Sequence, residues 1–455
     1  MPPDAVDLLV RADVVLTMEP GAPPLPDGAV AIAGDRIVAV GPAADLAARH
    51  PASPQLGGSG VLALPGFVNA HQHLTGDRLI RSAIPDHLPS SRAIAEWAVP
   101  VHLAHTADDD ELAATLALLE AVAHGVTFTV EAGTVAHPDR VLAAFDRVGV
   151  GGTLGSWGSD SPGLPYAGTV DEVIDRQRAV LAMTAGHPRV IGWITLVGHD
   201  LMSDSLAAAA SELARSAGCG LTMHLSPTTA DAAAYLDRTG RRPVVHLHEL
   251  GVLGPHVLLA HAVHLDDAET DLVVADDVAV ASCPWAYLRL GQGFARAGRH
   301  AEIVARGGRV ALGCDSENAG DAVDVLRAAA LFAGLAKDVA ADPSAWTAAR
   351  ALHLATLGGA EALGLGHELG SLTPGKRADV VLIDTTGPAW IPRAPDPTTH
   401  LVWASNGRDV RHVVASGRVV VRDGQPTRIG PVERAELAAA AEDAGARLRS
   451  ATMRT

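Results

Sequence analysis

Histidines and one aspartate stand at the ends of several short apolar segments of this 455-residue chain. His71 and His73 form the clearest pair, because residues i and i+2 of an extended strand point to the same face. His224, His261 and Asp315 end three later segments. Imidazole nitrogens combined with one carboxylate suit a Zn²⁺ or Fe²⁺ ion that keeps a position open for water. These residue types therefore predict a metal site that can activate water.

A His-x-His pair is weak evidence by itself. The chain has 21 histidines, and random placement of that many gives about one such pair. The chain has two, and His246 and His248 form the second. This second pair follows Pro243 in a helix-like segment, where residues i and i+2 do not share a face. We therefore predict packing or surface roles for it, and the first pair needs support from its position in the fold.

Eight short apolar segments run through the middle of the chain and alternate with Ala-rich helical stretches. This alternation predicts parallel strands, and eight units favour a closed (β/α)₈ barrel over an open doubly wound sheet. The phosphate-binding glycine motifs that would favour the open sheet are missing. Barrel enzymes place their chemistry at the C-terminal ends of the strands, where these histidines and Asp315 occur. The predicted strands are 66–73, 126–133, 149–157, 190–198, 220–226, 257–264, 278–285 and 310–316.

Val- and Ile-rich segments near both chain ends predict a second, smaller unit. We expect an α/β protein, a TIM-like barrel accompanied by a small β-sandwich domain that is built from both ends. The expected division gives residues 1–62 and 363–430 to the small domain, 63–362 to the barrel and 431–455 to a terminal helix.

The composition excludes several classes of partner. Lys and Arg number 35 against 52 Asp and Glu, a formal net charge of −17, which argues against nucleic acid and anionic membrane surfaces. Neither a signal peptide nor a membrane-spanning run is recognisable, and three cysteines do not suggest a disulfide framework. We expect a cytoplasmic protein that acts on a small-molecule or modified-peptide substrate.

Several motifs resemble those of the amidohydrolase superfamily. They are PGFVNAHQH at 65–73, LAHAVHL at 259–265, CPWAYLRL at 283–290, LGCD at 312–315 and GSLTPGKRAD at 370–379. Together with the split β unit, they resemble the cytosine deaminase and triazine hydrolase branch, which includes atrazine chlorohydrolase. The resemblance spans nearly the whole chain.

The resemblance implies a role for each residue of the predicted site. His71, His73, His224 and Asp315 would hold one divalent ion, Zn²⁺ in preference to Fe²⁺. Asp315 would also carry a proton during catalysis, and His261 would polarise the bound substrate. One ion is expected because the fourth strand lacks the Lys or Glu of binuclear relatives. A homodimer would also fit this branch.

One position departs from the branch. Its deaminases carry a Glu three residues after the strand-5 histidine, and Pro227 stands there in this chain. Since proline cannot move a proton, we expect hydrolysis of an amide, cyclic amide or amidine in a larger, peptide-derived substrate of natural-product type. Deamination or dechlorination of an N-heterocycle is the alternative, and a non-catalytic ligand-binding protein is the second alternative.

The loops after the strands are expected to set specificity, here 74–97, 158–169 and 227–243. Glu131 and Glu317 are candidates to replace the missing Glu, although either can be an ordinary hydrogen-bonded acid. The remaining predicted substrate-binding residues are His264 and three aromatic residues for which barrel packing is the alternative, Trp157, Trp285 and Tyr287.

Overall fold

A computed structural model describes residues 6–452. Its strands are β1 (Leu8–Val15), β2 (Leu25–Ala33), β3 (Arg36–Pro42), β4 (Gln55–Pro65), β5 (Phe67–Gln72), β6 (Val126–Glu131), β7 (Gly151–Leu154), β8 (Val190–Gly192), β9 (Ile194–Gly198), β10 (Leu221–Leu225), β11 (Val257–His261), β12 (Ala279–Ser282), β13 (Arg309–Leu312), β14 (Val380–Asp384), β15 (Val410–Ala415), β16 (Arg418–Arg422) and β17 (Gln425–Pro426).

Helices occupy most of the connections between these strands. They are α1 (Ala43–Arg49), α2 (Ser90–Ala93), α3 (Val99–Ala104), α4 (Ala107–Ala123), α5 (Pro138–Val148), α6 (Val170–Thr184), α7 (Asp204–Ala217), α8 (Thr229–Thr239), α9 (Pro243–Glu249), α10 (Asp267–Ala275), α11 (Pro284–Arg289), α12 (Phe294–Ala297), α13 (His300–Ala305), α14 (Val325–Ala340), α15 (Ala348–Ala355), α16 (Leu357–Ala362), α17 (Pro397–Ala404) and α18 (Pro431–Thr452). Within the described residues, no helix is both long and apolar enough to cross a membrane.

The two chain ends build one eight-stranded sheet in the order β17-β16-β15-β14-β4-β1-β2-β3. Its centre joins distant parts of the chain, because β4 pairs antiparallel with β14. In this pairing Pro65 lies opposite Val380 at one end and Val61 lies opposite Asp384 at the other. The outer strand β3 returns to the segment before β14, where the Ile37 N–H donates to the Lys376 carbonyl at 3.0 Å. An apolar cluster shared by β1–β4, β14 and β15 fills the curled sheet. The expected sandwich-like unit from both ends is confirmed.

The strands β5 to β13 form the (β/α)₈ barrel, with parallel ladders in the orders β5-β6-β7-β8 and β9-β10-β11-β12-β13. The fourth barrel strand is broken at Trp193 into β8 and β9. The last strand meets the first after β13, where the N–H groups of Cys314 and Asp315 donate to the His71 carbonyl at 3.1 and 2.9 Å. Small and apolar side chains such as Ala70, Ala281 and Ala311 fill the barrel interior, as the strand-and-helix alternation predicted.

One long connection covers the C-terminal mouth of the barrel. Between β5 and β6 the chain forms α2, a single π-helical turn at Ile94–Ala98, α3 and α4. The α18 helix packs beside it, and Leu448 shares an apolar cluster with Ile84 and Val101. The C-terminal helix thus supports the part of the chain that closes over the site.

Candidate active site

The two histidines at the end of β5 point into a cluster of imidazoles. The His71 and His73 ring centroids lie 5.2 Å apart, and the His71 ring lies 4.9 Å from that of His224 and 5.1 Å from that of His261. Asp315 completes the group, with Oδ1 at 3.8 Å from His71 Nε2 and 3.6 Å from His73 Nε2. The strand ends therefore bring together all five residues that the sequence singled out.

Neighbouring groups orient two of these rings. His224 Nδ1 donates a hydrogen bond to the Val197 carbonyl at 2.7 Å, which leaves its Nε2 free to act as a ligand. That Nε2 faces His73 Nε2 at 3.1 Å, and His73 Nδ1 lies 3.0 Å from the Thr134 hydroxyl. Partners of this kind fix the tautomer and the direction of a metal-binding imidazole.

The cluster fits a divalent metal ion. Ligand atoms lie within 4.8 Å of one another in two groups, His71 with His73 and His224, and His71 with His261 and Asp315. Both ring nitrogens of His71 are buried without a hydrogen-bond partner, which is costly unless another group satisfies them. Nitrogen donors with one carboxylate are also the donor set that zinc prefers.

Burial sets the protonation of the cluster. Burial, followed by the mutual proximity of the rings, lowers the pKa of His71, His73 and His261 well below the usual range. Burial likewise lowers the pKa of His224 to about 3. The imidazoles are therefore neutral at neutral pH, the state in which they bind metals.

The backbone is strained at several strand ends of this site. His199, Ser226, His261 and Asp315 all adopt left-handed conformations, with φ of 55°, 48°, 76° and 64°. Non-glycine residues in this region cost about 1 to 3 kcal/mol each and cluster at active sites. Each of these residues follows or ends a barrel strand, so the strain accompanies the turn that directs the side chain into the barrel mouth.

The cluster lies at the inner end of a cavity of about 200 Å³. His73, His224, His261 and Asp315 line it, and so does Trp157. Most of the remaining wall is apolar and comes from the connection between β5 and β6 and from the loops after β7, β9 and β12. Two of the three predicted specificity loops supply several lining residues each, whereas the third contributes Pro227.

The two glutamates proposed as substitutes lie outside the cavity lining. The Glu131 carboxylate accepts hydrogen bonds from the N–H groups of Gly133 at 2.7 Å and Thr134 at 3.3 Å. Glu317 is buried and forms an ion pair with Arg78 at 3.3 Å. Burial raises the pKa of both carboxyl groups to about 7. Their partners therefore give them a role in shaping the loops around the site.

Three other predicted substrate residues also lie outside the lining. The His264 ring bonds to the Gln292 carbonyl at 2.7 Å, and the Arg327 guanidinium covers the Trp285 ring at 3.7 Å. Tyr287 is fully buried, with its hydroxyl 3.3 Å from the Ala281 carbonyl. The Trp285 and Tyr287 rings pack the barrel, as the alternative interpretation held. Of the predicted aromatic residues, Trp157 alone reaches the cavity.

Sequence reasoning missed His199, which lines the cavity directly after β9. Its ring stacks on His224 with centroids 5.0 Å apart, and its Nδ1 donates to Asp231 Oδ2 at 3.0 Å. The same carboxylate oxygen accepts from the Ser226 N–H at 2.8 Å, next to Pro227. Its position as a polar residue directly after a barrel strand is the one sequence signal that could have marked it, although its contacts with His224 and Asp231 are not visible in the sequence.

Two family models match the chain. The model described as "Amidohydrolase family" matches residues 62–420, and an imidazolonepropionase-like composite domain matches residues 28–52. A 5-methylthioadenosine/S-adenosylhomocysteine deaminase from Syntrophobacter fumaroxidans is 32% identical over 417 residues, covering 92% of this chain and 93% of the relative. A deaminase of the same description from Moorella thermoacetica is 33% identical over 408 residues, covering 89% and 92%.

Solved structures agree with the sequence matches. An adenosine deaminase from Xanthomonas campestris, crystallised with bound zinc, superposes with a TM-score of 0.92 at 28% identity, covering 99% of this chain and 100% of that one. The zinc complex of atrazine chlorohydrolase from Arthrobacter aurescens has the same fold, with a TM-score of 0.84 at 24% identity over 96% and 100%. The chain belongs to the amidohydrolase family.

Proposed function

We propose that this protein is a metal-dependent aminohydrolase that removes the exocyclic amino group of an aminopurine or a related N-heterocycle. The observation that carries the proposal is the convergence of four histidines and Asp315 at the inner end of one cavity. In the reaction the oxygen of water bonds to the ring carbon, and the bond from that carbon to the amino nitrogen breaks. One proton of the water leaves with this nitrogen as ammonia, and the other stays on a ring nitrogen of the oxo product.

Family membership makes the protein a metal-dependent hydrolase of carbon–nitrogen bonds, as predicted. The substrate class that we propose differs from the one expected from the sequence. Relatives that match over nine-tenths of the chain are named as deaminases, which supports the N-heterocycle alternative over an amide in a peptide-derived substrate. The expected natural-product setting is not supported. The cytoplasmic location and the homodimer stay predictions.

We propose that His71, His73, His224 and Asp315 hold one Zn²⁺ ion, the metal present in the crystallised deaminase. The chemistry that such an ion supplies is acidification of a water molecule and polarisation of the bond under attack. Asp315 Oδ1 lies 3.8 Å from His71 Nε2 and 3.6 Å from His73 Nε2. From this position we propose that the carboxylate takes a proton from water and delivers it to the departing nitrogen.

His261 and His199 are proposed to hold the heterocycle. Both line the cavity on either side of His224, whose ring centroid lies 5.4 Å from that of His261 and 5.0 Å from that of His199. Because Asp231 anchors His199 Nδ1, His199 Nε2 is the nitrogen available to a ring nitrogen of the substrate. His199 with Asp231 therefore takes the place beside Pro227 where the branch has its Glu.

The test is ammonia release by protein stripped of metal and then reloaded with zinc. Adenosine and 5-methylthioadenosine should be converted to their oxo products, identified by mass spectrometry, and His71→Ala should abolish the conversion. His248→Ala is the matched control, since this exposed histidine pairs with Asp276 far from the cavity. Hydrolysis of cyclic amides without deamination would overturn the proposal, and ligand binding without turnover of any compound would favour a non-catalytic protein.

A further inference from the structure

We infer that the outer part of the cavity selects an aminoheterocycle whose substituent is uncharged and apolar, and that it rejects a substituent that carries a carboxylate. The inference rests on the proposed function for the position of the amino group, which must reach the histidine cluster. The substituent then projects towards the mouth, where the connection between β5 and β6 forms the wall.

That wall is built from aliphatic side chains. Ile84, Leu88, Ala93, Ile94 and Val99 line it from one connection. Ile94 is 41% exposed although it is a large apolar residue, as expected for a side chain that a ligand covers. The opposite wall is equally apolar, with Trp157, Leu164, Leu201 and Leu290. Each methylene buried against such walls strengthens binding about fourfold.

The charged residues of the cavity have one sign. Asp77 and Asp86 line it in addition to Asp315, and none of the described lining residues is a lysine or an arginine. His102 also lines the cavity, but burial lowers its pKa to about 3, so it is neutral. A carboxylate held in the outer part of the cavity, away from the histidine cluster, would lose its hydration without meeting a lysine or arginine, which is unfavourable.

Two arginines of the connection between β5 and β6 are already paired with carboxylates. Arg81 forms ion pairs with Glu120 at 2.6 Å and Asp321 at 2.7 Å, and Arg78 pairs with Glu120 and Glu317. Neither arginine lines the cavity. Recruiting Arg78 to a ligand would leave the buried Glu317 carboxylate without its partner, so this network holds both arginines away from the cavity lining.

Two nucleosides provide a matched pair of probes. 5-Methylthioadenosine and S-adenosylhomocysteine share the purine, the ribose and the sulfur, and they differ in a methyl group against an amino-acid tail. On zinc-loaded protein we expect kcat/KM for the methylthio compound to be at least about tenfold higher. Calorimetric binding should follow the same order. Equal values for the two compounds, within twofold, would overturn the inference.

The binding measurement separates this inference from the proposed function. If neither nucleoside releases ammonia but the methylthio compound still binds at least tenfold tighter, the deaminase proposal fails and the selectivity stands. If both compounds are deaminated at equal rates, the deaminase proposal stands and the selectivity fails. Absence of binding by both compounds would overturn the inference as well.

A charge reversal tests the cause of the selectivity. Asp86 is exposed at the mouth. For the analogue of S-adenosylhomocysteine that lacks the α-amino group and so carries the carboxylate alone, Asp86→Arg should improve kcat/KM about fivefold relative to the methylthio compound. The gain should shrink at high salt, since exposed charges are screened. Asp338→Arg makes the same charge change on the outer helix α14 and should leave the ratio unchanged. A ratio that responds equally to both substitutions would contradict the assigned cause.

Discussion

Replacing Gly198 should disturb the geometry of the metal site while every ligand residue stays in place. It lies between Val197, whose carbonyl holds the His224 ring, and His199. Its φ is +79°, and a Cβ atom there would stand 2.0 Å from the His224 carbonyl oxygen. The pairing of β9 with β10 shifts register at this point, so that Gly198 rather than Val197 faces His224. A glycine is required because no side chain fits between the two strands.

The size of the effect follows from these distances. In Gly198→Ala the two strands must separate until the 2.0 Å approach reaches an ordinary contact of at least 3.4 Å. That movement exceeds the roughly 0.5 Å within which a metal ligand must be held. The left-handed backbone adds about 1 to 2 kcal/mol. We expect zinc affinity to fall about 10- to 100-fold, as when the groups that orient a ligand are lost, although every ligand residue is still present.

Competition with a chelator of known zinc affinity measures this change, and circular dichroism verifies that the variant is folded. Gly186→Ala is the matched control, because Gly186 has a φ of +73° and nothing within 4 Å of the added methyl group. The control should lose stability without losing zinc. The reasoning is refuted if Gly198→Ala binds zinc as tightly as the parent protein, or if both variants lose zinc equally.

Three further predictions concern the support of the fold and site. Ala341 caps the C-terminal end of α14 with a φ of 49°, a conformation that glycine adopts more readily than alanine. In denaturant titrations, Ala341→Gly should therefore raise the free energy of unfolding by about 1 kcal/mol. The control Ala340→Gly, inside the helix, should lower it by a similar amount. Burial acts to raise the pKa of Glu120, but Arg81 and Arg78 outweigh it and hold the pKa at about 2. This pairing stabilises the fold above the unfolded-state pKa near 4.3 and loses its effect as pH falls towards 2, so Glu120→Gln should cost about 2 kcal/mol at pH 7 and progressively less below pH 4 in urea titrations. Asp231→Asn removes the anchor of His199 and should lower kcat about tenfold or more with unchanged zinc content by elemental analysis; an unchanged kcat would count against the role of His199.

The order of strands was readable from the sequence because most barrel strands are buried on both faces and appear as apolar runs. The same reasoning placed His71, His73, His224, His261 and Asp315 at the strand ends, where the structure brings them together. It also separated the two His-x-His pairs, since His246 and His248 lie on helix α9 and bond to two different aspartates, Asp204 and Asp276.

Loop geometry could not be read in this way. Glu131 and Glu317 carry suitable chemistry and follow the right strands, but backbone N–H groups and Arg78 hold them outside the cavity lining. His199 was overlooked because its role depends on contacts with His224 and Asp231, and Asp231 lies 32 residues further along the chain. Such contacts depend on how the loops pack against one another, and this packing cannot be inferred from the identity of single residues. The proposed substrate changed because relatives that match over nine-tenths of the chain are deaminases, whereas the expectation from sequence rested on Pro227 alone.

The pairing of β4 with β14 also determines when the molecule can be completed during synthesis. The first four strands emerge from the ribosome before the barrel, but β4 must wait through more than 300 residues for its partner. Until then one edge of β4 is unpaired, and such edges invite association with other chains. The barrel strand that carries His71 and His73 begins just after β4, where the Gly66 N–H donates to the Asp379 carbonyl at 3.1 Å. Nascent chains that stop before β14 should therefore be prone to aggregate and poor at retaining zinc. The pairing of the C-terminal strands thus completes the assembly of a metal site to which these strands contribute no ligand.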